Sequence, residues 1–247
     1  MATVLPVALP SRRQIRRLVP RPLRQRLYDW SPSRRRRWAG APGVTHVPAE
    51  AGVALTFDDG PDADCTPLLL DELERLGATA TFFAIGERVE ESPALAREVV
   101  ERGHELELHG MTHVRHDRLE PEAARAELLA GLAAIESATG RRPRLYRPPY
   151  GASSPSLASL CEELGLRLSY WSTWGQDWEP IPATRIAALV NRKLGPGSIV
   201  LLHDSALYAE RDDATPTVEA IAPIARAAAE RGGRLVSLGT ALDGEAA

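Results

Sequence analysis

Residues 53–60 read Val53-Ala54-Leu55-Thr56-Phe57-Asp58-Asp59-Gly60, an apolar run with β-type residues that stops on two adjacent carboxylates. Such a run is expected to form a strand. Two carboxylates side by side in a cleft repel, so one takes up a proton unless a cation or an arginine compensates. A divalent metal is the simplest compensation. His109-x-x-x-His113 follows 50 residues after Asp59, and one Asp with two His offers hard oxygen and borderline nitrogen donors. That set suits Zn²⁺, with Co²⁺ or Ni²⁺ as close alternatives, and three protein ligands leave positions open for water and substrate.

Outward from this stretch, short β-type runs alternate with helical patterns. Val53 to Phe57, Thr79 to Ala84, Glu105 to Leu108, Leu166 to Trp171 and Ile199 to Leu202 read as strands, with Leu235 to Leu238 as a last strand and Leu145-Tyr146 as a short segment ahead of Arg147. Helical spacing covers Thr66 to Leu76, Pro93 to Arg102, Pro121 to Thr139, Ser154 to Leu164, Thr184 to Leu194 and Thr215 to Arg231, several of them opened by Ser, Thr or Pro and closed by Gly. Repeated β-then-α order implies parallel strands with helices outside, as a barrel or an open doubly wound sheet. No GxGxxG follows the first strand, which counts against a dinucleotide fold. Asp58, Asp59, His109, Arg147, Asp177 and His203 all fall at or beyond C-terminal strand ends, the face on which barrel active sites assemble. The barrel is therefore preferred.

The chain has 247 residues, 44% of them hydrophobic, and no stretch approaches the roughly 18 apolar residues of a membrane span. Cys65 and Cys161 lack metal-type spacing and are expected to be small buried hydrophobes. Charge is distributed unevenly. Arg12 through Arg37 hold 11 arginines against Asp29 alone, +10 within a chain of net −3, so the remainder stands at −13. The division expected from this asymmetry is an Arg-rich extension over 1–47 and a catalytic domain over 48–247. Ile15, Leu18, Val19, Leu23, Leu27 and Trp30 recur beside the arginines, a basic amphipathic pattern suited to an anionic membrane surface. Packing on the acidic body or partial disorder are the competing readings for residues 12–37. No nucleic-acid module is present, so a nucleic-acid partner is not expected. Because the arginines follow the short apolar run Thr3 to Leu9 instead of preceding it, a secretory signal is disfavoured, and the expected location is cytoplasmic, peripheral to the membrane.

Five motifs then stand in order: Thr-Phe-Asp-Asp-Gly at 56–60, His-x-x-x-His at 109–113, Arg-Pro-Pro-Tyr-Gly at 147–151, Asp-Trp at 177–178 and Leu-Leu-His-Asp at 201–204. Each is weak alone: Asp-Asp-Gly-Pro is commonly a turn, the two histidines could be neighbours on a helix, and His203 could be a satisfied core residue. Together they make the chain resemble the NodB-homology polysaccharide deacetylases, carbohydrate esterase family 4, over roughly residues 52 to 240. The resemblance implies a distorted (β/α) barrel with fewer than eight repeats. It implies a metal-dependent hydrolase that removes an N-acyl group from an amino sugar or N-acetylated glycan. By it, Asp59, His109 and His113 would hold the metal, Asp58 would be the general base, and His203 the general acid. Arg147 would pair with Asp58, and Asp177 would orient either His203 or Arg147. Tyr150 through its backbone N–H, with Pro148, Trp178 and Leu202, would line the oxyanion and substrate side. An O-acetyl esterase and a non-catalytic carbohydrate-binding relative are the alternatives.

Two departures from the family pattern stand out. Gly110 follows His109 where the family usually has Ser or Thr to brace the loop, so a looser metal loop is expected. Trp174 replaces the first acid of Asp-x-x-Asp-Trp, which is expected to reshape the pocket rim and counts against the usual chitin-like substrate, while the basic tail and the disfavoured export signal point to a smaller or lipid-linked N-acyl sugar. His104 and His116 are expected to be structural or to support the ligands from behind, and His104-Glu105 to His109, one residue too long for HExxH, does not read as a metalloprotease motif.

Overall fold

A computed structural model describes residues 43–244. The Arg-rich stretch 12–37, with the membrane contact expected of it, lies outside the described residues. The strand at the centre is β1, Val53–Asp58, all six residues of which are buried. Continuous burial explains its unbroken hydrophobicity, because a parallel sheet is covered on both faces. On one side β1 pairs in parallel with β2 (Thr81–Ala84), with Asp58 opposite Phe83. On the other it pairs with β7 (Ile199–His203), with Asp58 opposite His203. The register alone therefore brings the first motif to the last.

Beyond β2 lie β3 (Glu105–Leu108), β4 (Leu145–Tyr146) and β5 (Arg167–Leu168), and beyond β7 lies β6 (Thr173–Trp174), giving the parallel order β5-β4-β3-β2-β1-β7-β6. The short β8, Leu235–Val236, pairs with Val53 and Ala54 at the start of β1. Among the described residues no ladder joins β5 to β6, so the sheet curls into a half-barrel. This is the incomplete (β/α) barrel expected from the sequence. Residues 44–47 bridge the β5 edge and the residues that lead into β7. The Val44 N–H donates to the Leu168 carbonyl at 2.8 Å, the Tyr170 N–H returns to the Val44 carbonyl at 2.8 Å, and the Val47 N–H donates to Gly197 at 3.0 Å. Val44 and Val47 are buried in the core. Residues 44–47, which the charge asymmetry assigned to the extension, thus pair with the sheet and its core. Backbone pairing and apolar burial, which net charge does not register, decide their place.

The helices are α1 (Thr66–Arg75), α2 (Gly86–Glu91), α3 (Pro93–Glu101), α4 (Pro121–Thr139), α5 (Pro155–Glu163), α6 (Ala183–Asn191), α7 (Thr215–Glu230) and α8 (Leu238–Asp243). Proline opens α3, α4 and α5, where its missing N–H costs no hydrogen bond. The Ser154 hydroxyl accepts from the Leu157 N–H at 3.2 Å to cap α5, and left-handed Gly140 closes α4. Four expectations change. The strand expected over Leu166 to Trp171 is only β5, and β6 and α2 were not expected. The last strand ends at Val236 because Leu238 begins α8, whose Gly239 and Thr240 N–H groups donate to the Glu105 carboxylate at 2.8 and 2.9 Å. Cys65 and Cys161 are free and buried, as expected. No helix among the described residues is long and apolar enough to cross a membrane.

Helix α4 makes a close approach to the end of β3. At Gly131 on α4 an added Cβ would stand 2.6 Å from Leu108 Cδ1 and 2.9 Å from the Gly110 carbonyl carbon. Helix α4 thus lies directly against the loop that leaves β3. Gly131→Ala gains helix propensity but forces backbone apart, and a net loss of about 1–3 kcal/mol is expected from overpacking, read as a lower denaturant midpoint; an unchanged or higher midpoint would contradict this packing.

Candidate active site

The donors of the first two motifs meet at the C-terminal ends of β1 and β3. Asp59 Oδ1 is 3.4 Å from His109 Nε2 and 3.3 Å from His113 Nε2, and all three groups lie within 4.8 Å of one another. The separations are informative. Donors around a four-coordinate ion with bonds of about 2.0–2.1 Å stand roughly 3.3–3.4 Å apart. Asp59 Oδ1 is buried and accepts no hydrogen bond, an arrangement that is costly unless a cation completes it. His109 Nδ1 is 2.6 Å from the Arg147 carbonyl, which can only accept. The proton therefore sits on Nδ1 and the Nε2 lone pair faces Asp59, the usual way an outer hydrogen bond orients a metal-binding imidazole. The residues fit a divalent first-row ion.

Electrostatics agrees with the donor geometry. Burial pushes His113 down to about 4 despite the Asp59 charge beside it, so its ring is neutral and able to donate a lone pair. Burial works against an ionised Asp59, but the surrounding imidazoles of His109, His113 and His203 outweigh it and hold the carboxyl well below the usual range, so Asp59 is the anion of the group. The His109 to His113 segment is a turn-rich loop instead of a helix. His113 is flanked by two rings, Tyr150 at 4.6 Å and Tyr208 at 4.3 Å between centroids. Tyr208 gave no signal in the sequence, since it belongs to no motif and reaches the site only through the loop after β7.

Asp58 faces the same space from the other side. Its Oδ1 accepts from Arg147 Nη1 at 2.7 Å, while Oδ2 stands 3.9 Å from His109 Nε2. Arg147 is fully buried and also donates to Thr56 Oγ1 at 2.7 Å and the Tyr170 carbonyl at 2.9 Å. Its guanidinium carbon lies 4.1 Å above the Phe83 ring.

The sequence left open which group Asp177 serves, and the structure settles it. Asp177 Oδ1 lies 2.8 Å from His203 Nδ1, and Oδ2 accepts from the His203 N–H at 2.9 Å and Thr217 Oγ1 at 2.8 Å. Arg211, 3.5 Å from Oδ2, donates to the His203 and Ser205 carbonyls and to Thr217 Oγ1. Arg147 is occupied by Asp58 instead. Burial opposes a charged His203, yet ionised Asp177, with Asp59 and Asp58 behind it, overcomes burial and raises the imidazole to about 9. Arg211 and Thr217 were missed by sequence reasoning. Their distance from any motif gave nothing to read.

The substrate side is mixed. Trp178 packs edge-on against His203 with centroids 5.5 Å apart, and Trp174 meets Trp178 at 5.3 Å. Trp174, in the place of an acid, thus extends an aromatic wall beside His203. Tyr150 adopts φ +63° within the turn Pro149–Gly151 and is 57% exposed, while Pro148 is buried. Leu202 does not belong with these residues. It is wholly buried, and the space over Gly175 that it fills is shared with Ile186 and Val190 of α6. Side chains alternate along a strand, so Leu201, not Leu202, shares the face of His203. His104 is buried, and its Nδ1 accepts from the Ala80 N–H at 3.3 Å; its part is structural, as expected.

Comparison with known proteins agrees with the site. A family profile described as polysaccharide deacetylase matches residues 46–169. A chitooligosaccharide deacetylase of Bradyrhizobium sp. is 41% identical over 159 residues, 64% of this chain and 73% of the relative. The solved structure of a peptidoglycan N-acetylglucosamine deacetylase, in complex with a naphthalenyl N-hydroxybenzamide, is similar with a TM-score of 0.75 at 28% identity, covering 81% of this chain and 92% of that one. A family 4 acetyl xylan esterase from Clostridium thermocellum, solved with a cobalt ion, is similar with a TM-score of 0.70 at 32% identity, covering 77% and 90%. With its five motifs gathered at one end of a half-barrel, the chain belongs to the polysaccharide deacetylase family.

Proposed function

We propose that the protein is a divalent-metal-dependent hydrolase that removes an N-acetyl group from an amino-sugar residue of a glycan. The observation that carries this reading is the triangle of Asp59, His109 and His113 donors, flanked by Asp58 on Arg147 and by His203 on Asp177. Zinc suits the donor set first, with cobalt and nickel next. Bound among these donors, such an ion supplies Lewis acidity, acidifying water and polarising an acyl carbonyl.

The protein groups divide the remaining work. Asp58 Oδ2, left free while Arg147 holds Oδ1, takes the proton of the attacking water as its oxygen adds to the acyl carbon. The Tyr150 N–H, presented by a turn in the left-handed region, donates to the developing oxyanion. His203 then gives its Nε2 proton to the amine as the C–N bond breaks, with Nδ1–H held by Asp177. Acetic acid, which ionises to acetate at neutral pH, and a free amine leave, and the proton on Asp58 balances the one lost by His203. Ionised Asp177 favours the protonated His203 imidazole that this step needs. Trp178, Trp174 and Leu201 form the apolar wall for the acyl methyl and the sugar face. The similarity to an acetyl xylan esterase makes O-deacetylation the second reading, since the same groups could expel an alcohol.

Incubation with a panel of N-acetylated oligosaccharides is expected to release acetate and amine in equal amounts, to stop on chelation and to resume with zinc or cobalt; acetate without amine favours the ester reading, and full turnover after stripping the metal defeats the proposal. His203→Ala is expected to lower kcat by about 10²–10⁴-fold. Replacing Asp177 by Asn removes the anion that favours the imidazolium, so His203 loses its proton at lower pH. The alkaline limb of the kcat/KM profile should move acidward by about one unit or more, and an unmoved limb would reject the Asp177 assignment.

A further inference from the structure

The loop carrying both imidazole donors is not the loose segment that Gly110 led the sequence reading to expect. Gly110 has φ +108°, and a Cβ there would stand 2.2 Å from His116 Cε1. The small residue is thus required by a histidine packed beneath it. At the first turn of α2 the Gly86 and Glu87 N–H groups donate to the Gly110 and Met111 carbonyls at 2.8 and 3.0 Å. On the α4 side, Glu127 accepts from the Thr112 N–H at 3.0 Å and from Thr112 Oγ1 at 3.1 Å. Its Oε2 also lies 3.2 Å from His116 Nε2, while His116 Nδ1 lies 2.6 Å from the Tyr146 hydroxyl. One neutral ring satisfies both contacts: the Tyr146 O–H donates to Nδ1 and Nε2–H donates to Glu127. Tyr146 immediately precedes Arg147, whose carbonyl fixes His109. The chain of contacts therefore closes on the metal donors from two directions.

We infer that Glu127 is a positioning residue for the metal ligands, tying Thr112 and His116 so that His109 and His113 keep their separation from Asp59. It takes over the bracing that a Ser or Thr hydroxyl at position 110 would provide. This inference rests on the metal-dependent reading of the site. It concerns the holding of the ligands, not their identity.

The test is the zinc affinity of the full chain, measured by competition with a chromogenic chelator, together with the thermal midpoint in excess chelator. Loss of an outer partner of a metal ligand typically weakens binding by about 10–100-fold, and that range is expected for Glu127→Ala. Glu127→Gln keeps an oxygen to accept from the Thr112 N–H and His116 Nε2–H, and should stay within about threefold of the unaltered chain. Tyr146→Phe removes only the hydroxyl beneath His116 and should cost about three- to tenfold; it carries the test if Glu127→Ala does not fold. A merely structural brace would lower the midpoint in chelator and leave the affinity of the folded variants unchanged, which would overturn the inference. So would equal losses in the Ala and Gln variants. Failure of the unaltered chain to bind zinc would instead overturn the metal reading, and this inference with it.

Discussion

The buried Arg147 is the constraint on which the rest of the site depends. Its guanidinium, inaccessible to solvent, donates to Thr56, Asp58 and the Tyr170 carbonyl, and its own carbonyl accepts from His109. One residue at the end of β4 thereby aims a carboxylate and an imidazole at the same point. A buried ion pair is expensive to desolvate, and removing either partner strands a charge. Phe83 beneath the guanidinium adds a polarisable face that offsets part of that cost. The arrangement persists because β1, β3 and β4 lie in one sheet and cannot shift independently.

Charge allocation follows from it. Three acids crowd the cleft, yet two are already committed: Asp58 to Arg147, and Asp177 to His203 and Arg211. Of these three, Asp59 keeps a buried oxygen with no hydrogen-bond partner, and that oxygen is the one facing the Nε2 atoms of His109 and His113. Backbone strain is concentrated in the same place. Among the described residues, the non-glycine positions with positive φ are Asp59, Tyr150 and Gln176, each in a loop beyond a strand end and each beside a chemically committed group. Such conformations cost about 1–3 kcal/mol each and persist where the surrounding structure over-determines them.

Much of the architecture was legible because its signals are local. Val53 to Asp58 reads as a covered strand, Pro93, Pro121 and Pro155 open helices, and the order of elements demands parallel strands. The elements that went unread, β6 at Thr173–Trp174 and α2 at Gly86–Glu91, are too short for periodicity to register. The pairing of residues 44–47 with the β5 edge and with the residues entering β7 is made by backbone hydrogen bonds, which leave no trace in side-chain charge. Gly110 was misjudged for a related reason: its partner His116 contributes size, and a spacing rule carries no information on what packs beneath a loop.

What the sequence determined by itself is the chemistry on offer: one carboxylate and two imidazoles of ligand type, a second carboxylate, an arginine and a further histidine, all at the C-terminal ends of parallel strands. Only the tertiary structure decided who holds whom. Asp58 meets Arg147 across 89 residues and Asp177 meets His203 across 26, and the sequence alone left Asp177 with two candidate partners. Leu201 and not Leu202 shares the face of His203, a distinction of one strand residue that reverses direction. Motifs specify the kinds of donor and acceptor, whereas pairing depends on distances of about 3 Å, and those are set by sheet register and by helix α4 pressed against the loop that carries His109 and His113.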